Sequence, residues 1–199
     1  MIIKTIPAGI YDANCYLIMD EENKEIVIID PGGHGEMLEK AINSLGGTPK
    51  YILLTHGHVD HVGGVEYLAD SFGIPFYINE EDAEFILKDN SVFGNIRKAD
   101  GYLIDNQILP FGKQGIQVIS TPGHTKGGVC FLIEDNVFTG DTLFQTSIGR
   151  TDFVGGNFEE IITSIKTRLL TLGNEVQVYP GHGPSSTIAY EARNNPYLD

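Results

Sequence analysis

Apolar residues recur along the chain in short runs, at residues 16–19, 25–29, 51–54, 75–78, 115–119, 129–133, 136–138 and 176–178. Each run is about the length of a strand, and several are bounded by Gly, Pro, Asn or Asp. Asp135-Asn136 lies between two of them and predicts a hairpin turn, with Asn136 able to take a positive φ. Apolar positions three and four apart predict helices over 36–45, 61–72, 80–88 and 157–170. In the first, Met37, Leu38, Ala41, Ile42 and Leu45 share a face, and Gly46-Gly47 stops the helix. In the last, Asn157 caps the start, and Phe158, Ile161, Ile162, Ile165 and Leu169 form the stripe. Strands and helices interleave, so the class is α/β (α+β in some schemes). No repeat, low-complexity tract or linker interrupts the pattern, and residues 1–199 read as one domain.

Charge narrows the partners. Lys and Arg number 13 against 27 Asp and Glu, a formal net charge of −14. A nucleic acid or an anionic membrane surface needs a basic footprint, so neither is expected. No run approaches the roughly 18 apolar residues that span a bilayer. The first residues lack the apolar core of a secretory signal, so a cytoplasmic protein is expected. Cys15 and Cys130 sit inside apolar runs and read as buried, inert thiols. The expected partner is a small molecule, and the expected state is a monomer or small homo-oligomer.

The 24 Gly concentrate in loops that also carry His and Asp. Such loops turn tightly and let backbone approach a ligand. After the run at 51–54 comes Thr55-His56-Gly57-His58-Val59-Asp60-His61, a His-x-His-x-Asp-His pattern. His56 and His58 can point to one side of an extended turn, while Asp60 and His61 enter a helix and diverge. His124 follows another strand in Thr121-Pro122-Gly123-His124, Asp141 follows in Thr139-Gly140-Asp141, and His182 in Pro180-Gly181-His182. The repeated strand, sharp turn and ligand would gather these side chains at one sheet edge. Seven candidates exceed the three protein ligands of a catalytic zinc. Two ions with three private ligands each and one bridging carboxylate use all seven. Asp141 is the natural bridge, because Asp60 is tied to His61. His34 stands outside this pattern and reads as a loop histidine, while Tyr11 and Tyr190 are weaker pocket candidates, with packing the preferred reading for both.

These blocks resemble the metallo-β-lactamase superfamily, whose His-x-His-x-Asp-His motif precedes separate His, Asp and His motifs in this order. The resemblance implies an αββα sandwich of two mixed sheets flanked by helices, with a dinuclear site at the sheet edges. It implies that His56, His58 and His124 hold one ion, that Asp60, His61 and His182 hold the other, and that Asp141 bridges. It gives Asp30, in Ile29-Asp30-Pro31-Gly32, a supporting role behind the ligands. Segments 138–144, 149–153 and 191–197 are similar to the glyoxalase II-like hydrolases of short bacterial type. The helical domain with which glyoxalase II binds glutathione has no counterpart in these 199 residues, so the thiol carrier stays open.

The expected reaction is hydrolysis of a thioester such as S-D-lactoylglutathione. Two divalent ions sharing a water lower its pKa toward 7, and the bridging hydroxide attacks the carbonyl. Asp60 and Asp141 are the expected catalytic carboxylates. A thiolate leaves with little help from an acid, whereas an amide nitrogen needs a proton. Phe144 and Arg150 are candidate substrate contacts, with pairing of Arg150 to Asp152 the competing reading. Zinc is the first choice of metal, with iron or manganese open. Two alternatives use the same residues. One is a persulfide dioxygenase with a single iron on His56, His124 and Asp141; the other is a lactonase.

Overall fold

A computed structural model describes residues 1–88 and 92–198 of the chain. The first half contributes β1 (Ile2–Ala8), β2 (Ala13–Met19), β3 (Glu25–Ile29), β4 (Thr48–Leu53), β5 (Phe76–Asn79) and β6 (Gly101–Leu103), with α1 (Gly35–Leu45), α2 (Val59–Val62), α3 (Val65–Phe72) and α4 (Glu80–Lys88) between them. These six strands lie in sequence order in one sheet. β1 to β3 pair antiparallel, and β3 to β6 pair parallel. The second half adds β7 (Ile108–Leu109), β8 (Ile116–Ser120), β9 (Val129–Ile133), β10 (Asn136–Gly140), the small hairpin β11 (Leu143–Phe144) and β12 (Ser147–Ile148), then α5 (Phe158–Ser164), β13 (Gln177–Pro180), β14 (Ser186–Thr187) and α6 (Ile188–Asn194). Its sheet runs β14-β13-β10-β9-β8-β7, with β10 and β13 parallel and the other pairs antiparallel.

Strand alternation builds the layers. Ile26 and Ile28 of β3 face α1 and α3, where Leu38, Ile42, Val65 and Leu68 cover them. Val27 and Ile29, one residue on, face the other sheet and meet Val118, Phe131 and Phe138. On that sheet's far side, Val137 and Val178 pack under Ile161, Ile165, Leu169 and Ile188. The result is helix, sheet, sheet, helix, the sandwich expected. Both central strands are apolar on two faces because both faces are covered. Cys15 and Cys130 are free and buried, and burial pushes the Cys130 thiol up to about 12. No helix among the described residues is long and apolar enough to cross a membrane.

Several elements differ from the expected pattern, each for a physical reason. The stretch 61–72 is not one helix. It breaks at Gly63-Gly64, where the Gly64 N–H donates to Pro31 O at 2.7 Å and a Cβ on Gly63 would sit 2.6 Å from Gly32 O. The final turns of the helix begun at Asn157 widen into a π-helical segment, 165–169, with Leu170 N bonded to Ile165 O at 2.9 Å. Asn157 caps as expected, its side chain accepting from Glu160 N, but Phe158 is 51% exposed and lies off the buried stripe. In the β9–β10 turn the positive φ falls on Glu134 (φ 53), not on Asn136. β1 and α6 carry patterns too weak to predict; β1 is an edge strand, which is why it accommodates Pro7.

Candidate metal centre

Five strands end at the same edge of the sandwich, and each hands on a polar residue. Asp30 follows β3, His56 and His58 follow β4, His124 follows β8, Asp141 follows β10, and His182 follows β13. Asp60 and His61 lie on α2, the single helical turn after His58. The structure brings all seven sequence-predicted ligands together. Ligand atoms of His56, His58 and His124 lie within 4.8 Å of one another, as do those of Asp60, His61 and His182. Asp141 stands between the two groups. Its Oδ1 lies 3.3 Å from His61 Nε2, and its Oδ2 lies 3.6 Å from His124 Nε2 and 3.7 Å from His182 Nε2.

Hydrogen bonds at the back of the rings fix which nitrogen faces inward. His124 Nδ1 donates to the Arg150 carbonyl at 2.7 Å, which leaves Nε2 inward. His61 Nδ1 donates to Asp30 Oδ2 at 3.0 Å. The Thr55 hydroxyl donates to Asp30 Oδ2 at 2.5 Å and receives His56 Nδ1 at 3.1 Å. Asp30 Oδ1 takes the Thr55 N–H at 2.7 Å. Asp30 thus orients two inward-facing imidazoles, one directly and one through Thr55. The geometry also groups Asp30 with His56 and His61, but its Oδ2 is spent on the outward nitrogen of His61.

Backbone space is as tight as the ring geometry. A Cβ on Gly181 would sit 2.2 Å from Asp141 Oδ1 and 2.7 Å from His61 Cε1. The loop that carries His182 is held by β2: Asn14 Nδ2 donates to Pro180 O (3.0 Å) and Gly183 O (2.9 Å), and the Tyr16 hydroxyl donates to Pro180 O (2.5 Å). Sequence reasoning missed Asn14 and Tyr16. A polar Asn at the start of a strand whose every residue is buried was the available signal.

These residues fit a cation. Among the described residues, five buried side-chain atoms have no hydrogen-bond partner, and three of them face into this centre: His56 Nε2, His61 Nε2 and Asp141 Oδ1, while His58 turns its Nδ1 toward His124 Nε2, 2.9 Å away. Leaving such an atom unpaired costs about 1–3 kcal/mol. Three in one place are tolerable where a bound ion satisfies them. The titration of the centre agrees. Burial lowers His56, and burial with His124 pushes His58 down to about 3, so both are neutral and ready to donate lone pairs. Burial alone would lower His61, but the Asp141 and Asp30 carboxylates outweigh it and raise the ring well above its ordinary value. The Asp60 hydrogen bond raises His182. Burial would raise Asp60 and Asp141, yet the neighbouring His182 and His61 hold both below the usual carboxylate range.

A pH dependence follows. The two carboxylates stabilise the metal-free fold above their ordinary pKa near 3.8, and this is lost as pH falls through the lowered values. The two raised histidines stabilise it below 6.5, and this is lost as pH rises through the raised values. Metal uptake must displace the protons on His61 and His182. We expect the metal-free melting temperature to fall above neutral pH while metal affinity climbs. Titration calorimetry in buffers of different ionisation enthalpy checks this, and uptake without proton release contradicts it.

The centre opens into a cleft of about 470 Å³. Tyr11, Val59, Val92, Arg150 and Phe153 line it beside His58, Asp60, His124, Asp141 and His182. Tyr11 therefore reaches the site, the less favoured of its two readings. Arg150 also reaches it, but its guanidinium is forked onto Asp152 by two 2.8 Å bonds and lies 3.6 Å over the Phe153 ring. Phe144 lies behind His182, ring centroids 6.2 Å apart, and is not among the lining residues. His34 is exposed at the start of α1, and its Nδ1 accepts from Gly9 N.

Residues 8–182 match the profile of the Metallo-beta-lactamase superfamily. The chain belongs to this superfamily. Hydroxyacylglutathione hydrolase GloC of Haemophilus influenzae is 39% identical over 100% of this chain and 99% of its own. The crystal structure of BLEG-1 B3 metallo-beta-lactamase superposes with a TM-score of 0.91 at 36% identity, covering 99% of both chains. TTHA1623 in a di-iron-bound form superposes with a TM-score of 0.88 at 35% identity, covering 98% of this chain and 100% of that one. The chain has the metallo-β-lactamase fold, a His/Asp metal-binding cluster, and the general activity of a metallo-hydrolase of this superfamily.

Proposed function

We propose that this metallo-hydrolase cleaves a small thioester of the hydroxyacyl type. The observation that carries the reading is the make-up of the cleft. Apart from the metal-directed side chains, the only proton-bearing side chains among its described lining are those of Tyr11 and Arg150. The Arg150 guanidinium, forked onto Asp152, is too weak an acid to protonate a departing nitrogen, and Tyr11 stands largely exposed at the rim of the cleft. A thiolate needs no such proton, because ordinary thiols have a pKa near 8.5. The GloC relative, named for a glutathione thioester, supports the same class.

In this reading His56, His58 and His124 would hold one divalent ion, Asp60, His61 and His182 would hold a second, and Asp141 would be shared between them. Zinc suits this nitrogen and oxygen donor set, and the di-iron neighbour makes iron the competitor. Such ions, when bound, polarise a carbonyl and lower the pKa of water to near neutrality. The chain's own residues do the rest. Asp60, held ionised beside His182, accepts a hydrogen bond from the attacking water and aims it. Asp30 and the Arg150 carbonyl keep His61 and His124 in the tautomer that turns Nε2 inward. Val59, Val92 and Phe153 exclude bulk water from the reacting carbonyl. The guanidinium of Arg150, neutralised by Asp152, serves as a wall and not as a receptor for a substrate carboxylate.

Thiol release from S-D-lactoylglutathione, compared with opening of a lactone and a β-lactam, tests the proposal. A general acid is worth about 10²- to 10⁴-fold where a leaving group needs one. We therefore expect kcat/KM for the thioester to exceed that for the β-lactam by at least about 100-fold. Faster β-lactam or lactone opening would overturn it, as would oxygen uptake with glutathione persulfide by protein holding one iron. Elemental analysis of the same protein should give two metal ions per chain.

A further inference from the structure

α4 supplies no metal-directed residue, yet its third residue, Asp82, is fully buried. Asp82 makes no salt bridge among the described residues. What it does instead is join two loops. Its Oδ2 accepts the Gly57 N–H at 2.9 Å, and its Oδ1 accepts the Gly127 N–H at 2.8 Å. Gly57 lies between His56 and His58, and Gly127 lies three residues beyond His124. The three side chains of one metal group therefore come from two loops that share this carboxylate. The fit is close: a Cβ on Gly127 would sit 2.7 Å from both Asp82 N and Asp82 Oδ1, and one on Gly57 would press on Phe93 and Ile86 at 3.0 and 3.1 Å.

A carboxylate buried without a cation is expensive. Burial pushes the Asp82 carboxyl up to about 6, and the Thr125 hydroxyl and the Gly127 and Gly57 N–H groups pull it back only in part. Mere packing does not account for such a group, whereas fixing the spacing of two ligand loops does.

We propose that Asp82 is a positioning residue of the metal centre, setting the separation of the His56–His58 loop from the His124 loop so that these three rings meet one ion. The proposal rests on the metal-binding half of the function proposed above and is independent of the substrate. Asp82 does not touch the cleft, so it acts through the loops alone.

The test uses the full chain stripped of metal and titrated with Co²⁺ or Zn²⁺ against a chromophoric chelator, with the Co²⁺ visible spectrum recorded at each step. Asp82→Asn keeps the volume but can accept only one of the two N–H groups. It should weaken one of the two ions by about 10-fold or more and change that ion's Co²⁺ bands, leaving the other ion in place. Gly127→Ala, which crowds the same carboxylate, should do likewise, and Asp82→Ala should do so more strongly. Leu169→Ala, a core truncation under the far sheet, loses stability without touching either loop and should bind both ions as wild type does. Asp82→Asn protein with two unchanged affinities and an unchanged spectrum overturns the proposal. So does equal weakening of both ions that Leu169→Ala reproduces. Wild-type protein that takes up no metal would sink the metal reading itself and this proposal with it.

Discussion

Asp141→Ala protein should retain its fold, hold at most one metal ion, and lose at least about 1,000-fold in thioester turnover. Asp141 is the carboxylate that reaches both groups of ligands, with Oδ1 toward His61 and Oδ2 between His124 of one group and His182 of the other. Removing it leaves each group of three side chains without its shared partner. Loss of an ion's charge stabilisation costs several kcal/mol in the barrier, and each 1.4 kcal/mol is tenfold in rate. Asp141→Asn is the sharper variant. It preserves volume, which matters where a Cβ on Gly181 would already sit 2.2 Å from Oδ1, but offers one oxygen in place of two. Both variants should behave alike. Paired metal analysis and thiol-release rates decide the matter, and a fully loaded, fully active Asp141→Asn protein refutes the bridging role.

Why so much of this centre can be read in the chain, and so much of its support cannot, is a matter of range. The His-x-His-x-Asp-His cluster is local: four candidate ligands fall within six residues at the end of one strand, and no core packing asks for that pattern. His124, Asp141 and His182 gain meaning because each repeats the same strand, turn and ligand order. Asp82 sends no such signal. It stands in the acidic first turn of α4 with Glu80 and Glu81, where carboxylates commonly sit for the helix dipole. Only tertiary structure separates the buried one from its neighbours. The broken helix at Gly63-Gly64 is of the same kind, since the periodicity over 61–72 is sound and the break comes from backbone contact with residues 31–32. Arg150 shows the reverse case, and of its two readings the pairing with Asp152 is the one present. Its side chain attracts the eye as a cation near the site, but its firmest link to the centre is the main-chain carbonyl that holds His124, and no sequence pattern reports a carbonyl.

Asp30 is legible as a strand-end carboxylate, and the structure shows why an isostere will not replace it. Asp30 is almost wholly buried and accepts three hydrogen bonds, from Thr55 N, the Thr55 hydroxyl and His61 Nδ1. Asp30→Ala strands all three donors, one of them on a ring whose positive charge Asp30 supports. Breaking such a buried charged contact costs about 3–5 kcal/mol, which for a chain of this size lowers the melting temperature by roughly 10 °C. Asp30→Asn separates this from ligand orientation. The amide keeps the shape and can still accept from Thr55 N, but its NH₂ confronts the Nδ1–H of His61. The ring then favours the tautomer with its proton on Nε2, the atom that faces Asp60 and Asp141. A protonated Nε2 cannot bind an ion. Asp30→Asn should therefore melt close to wild type while binding the Asp60–His61–His182 ion about 10- to 100-fold more weakly. Chelator competition beside a melting curve reads both quantities. If affinity and melting temperature fall together in Asp30→Asn as they do in Asp30→Ala, Asp30 is a packing residue and the tautomer argument is wrong.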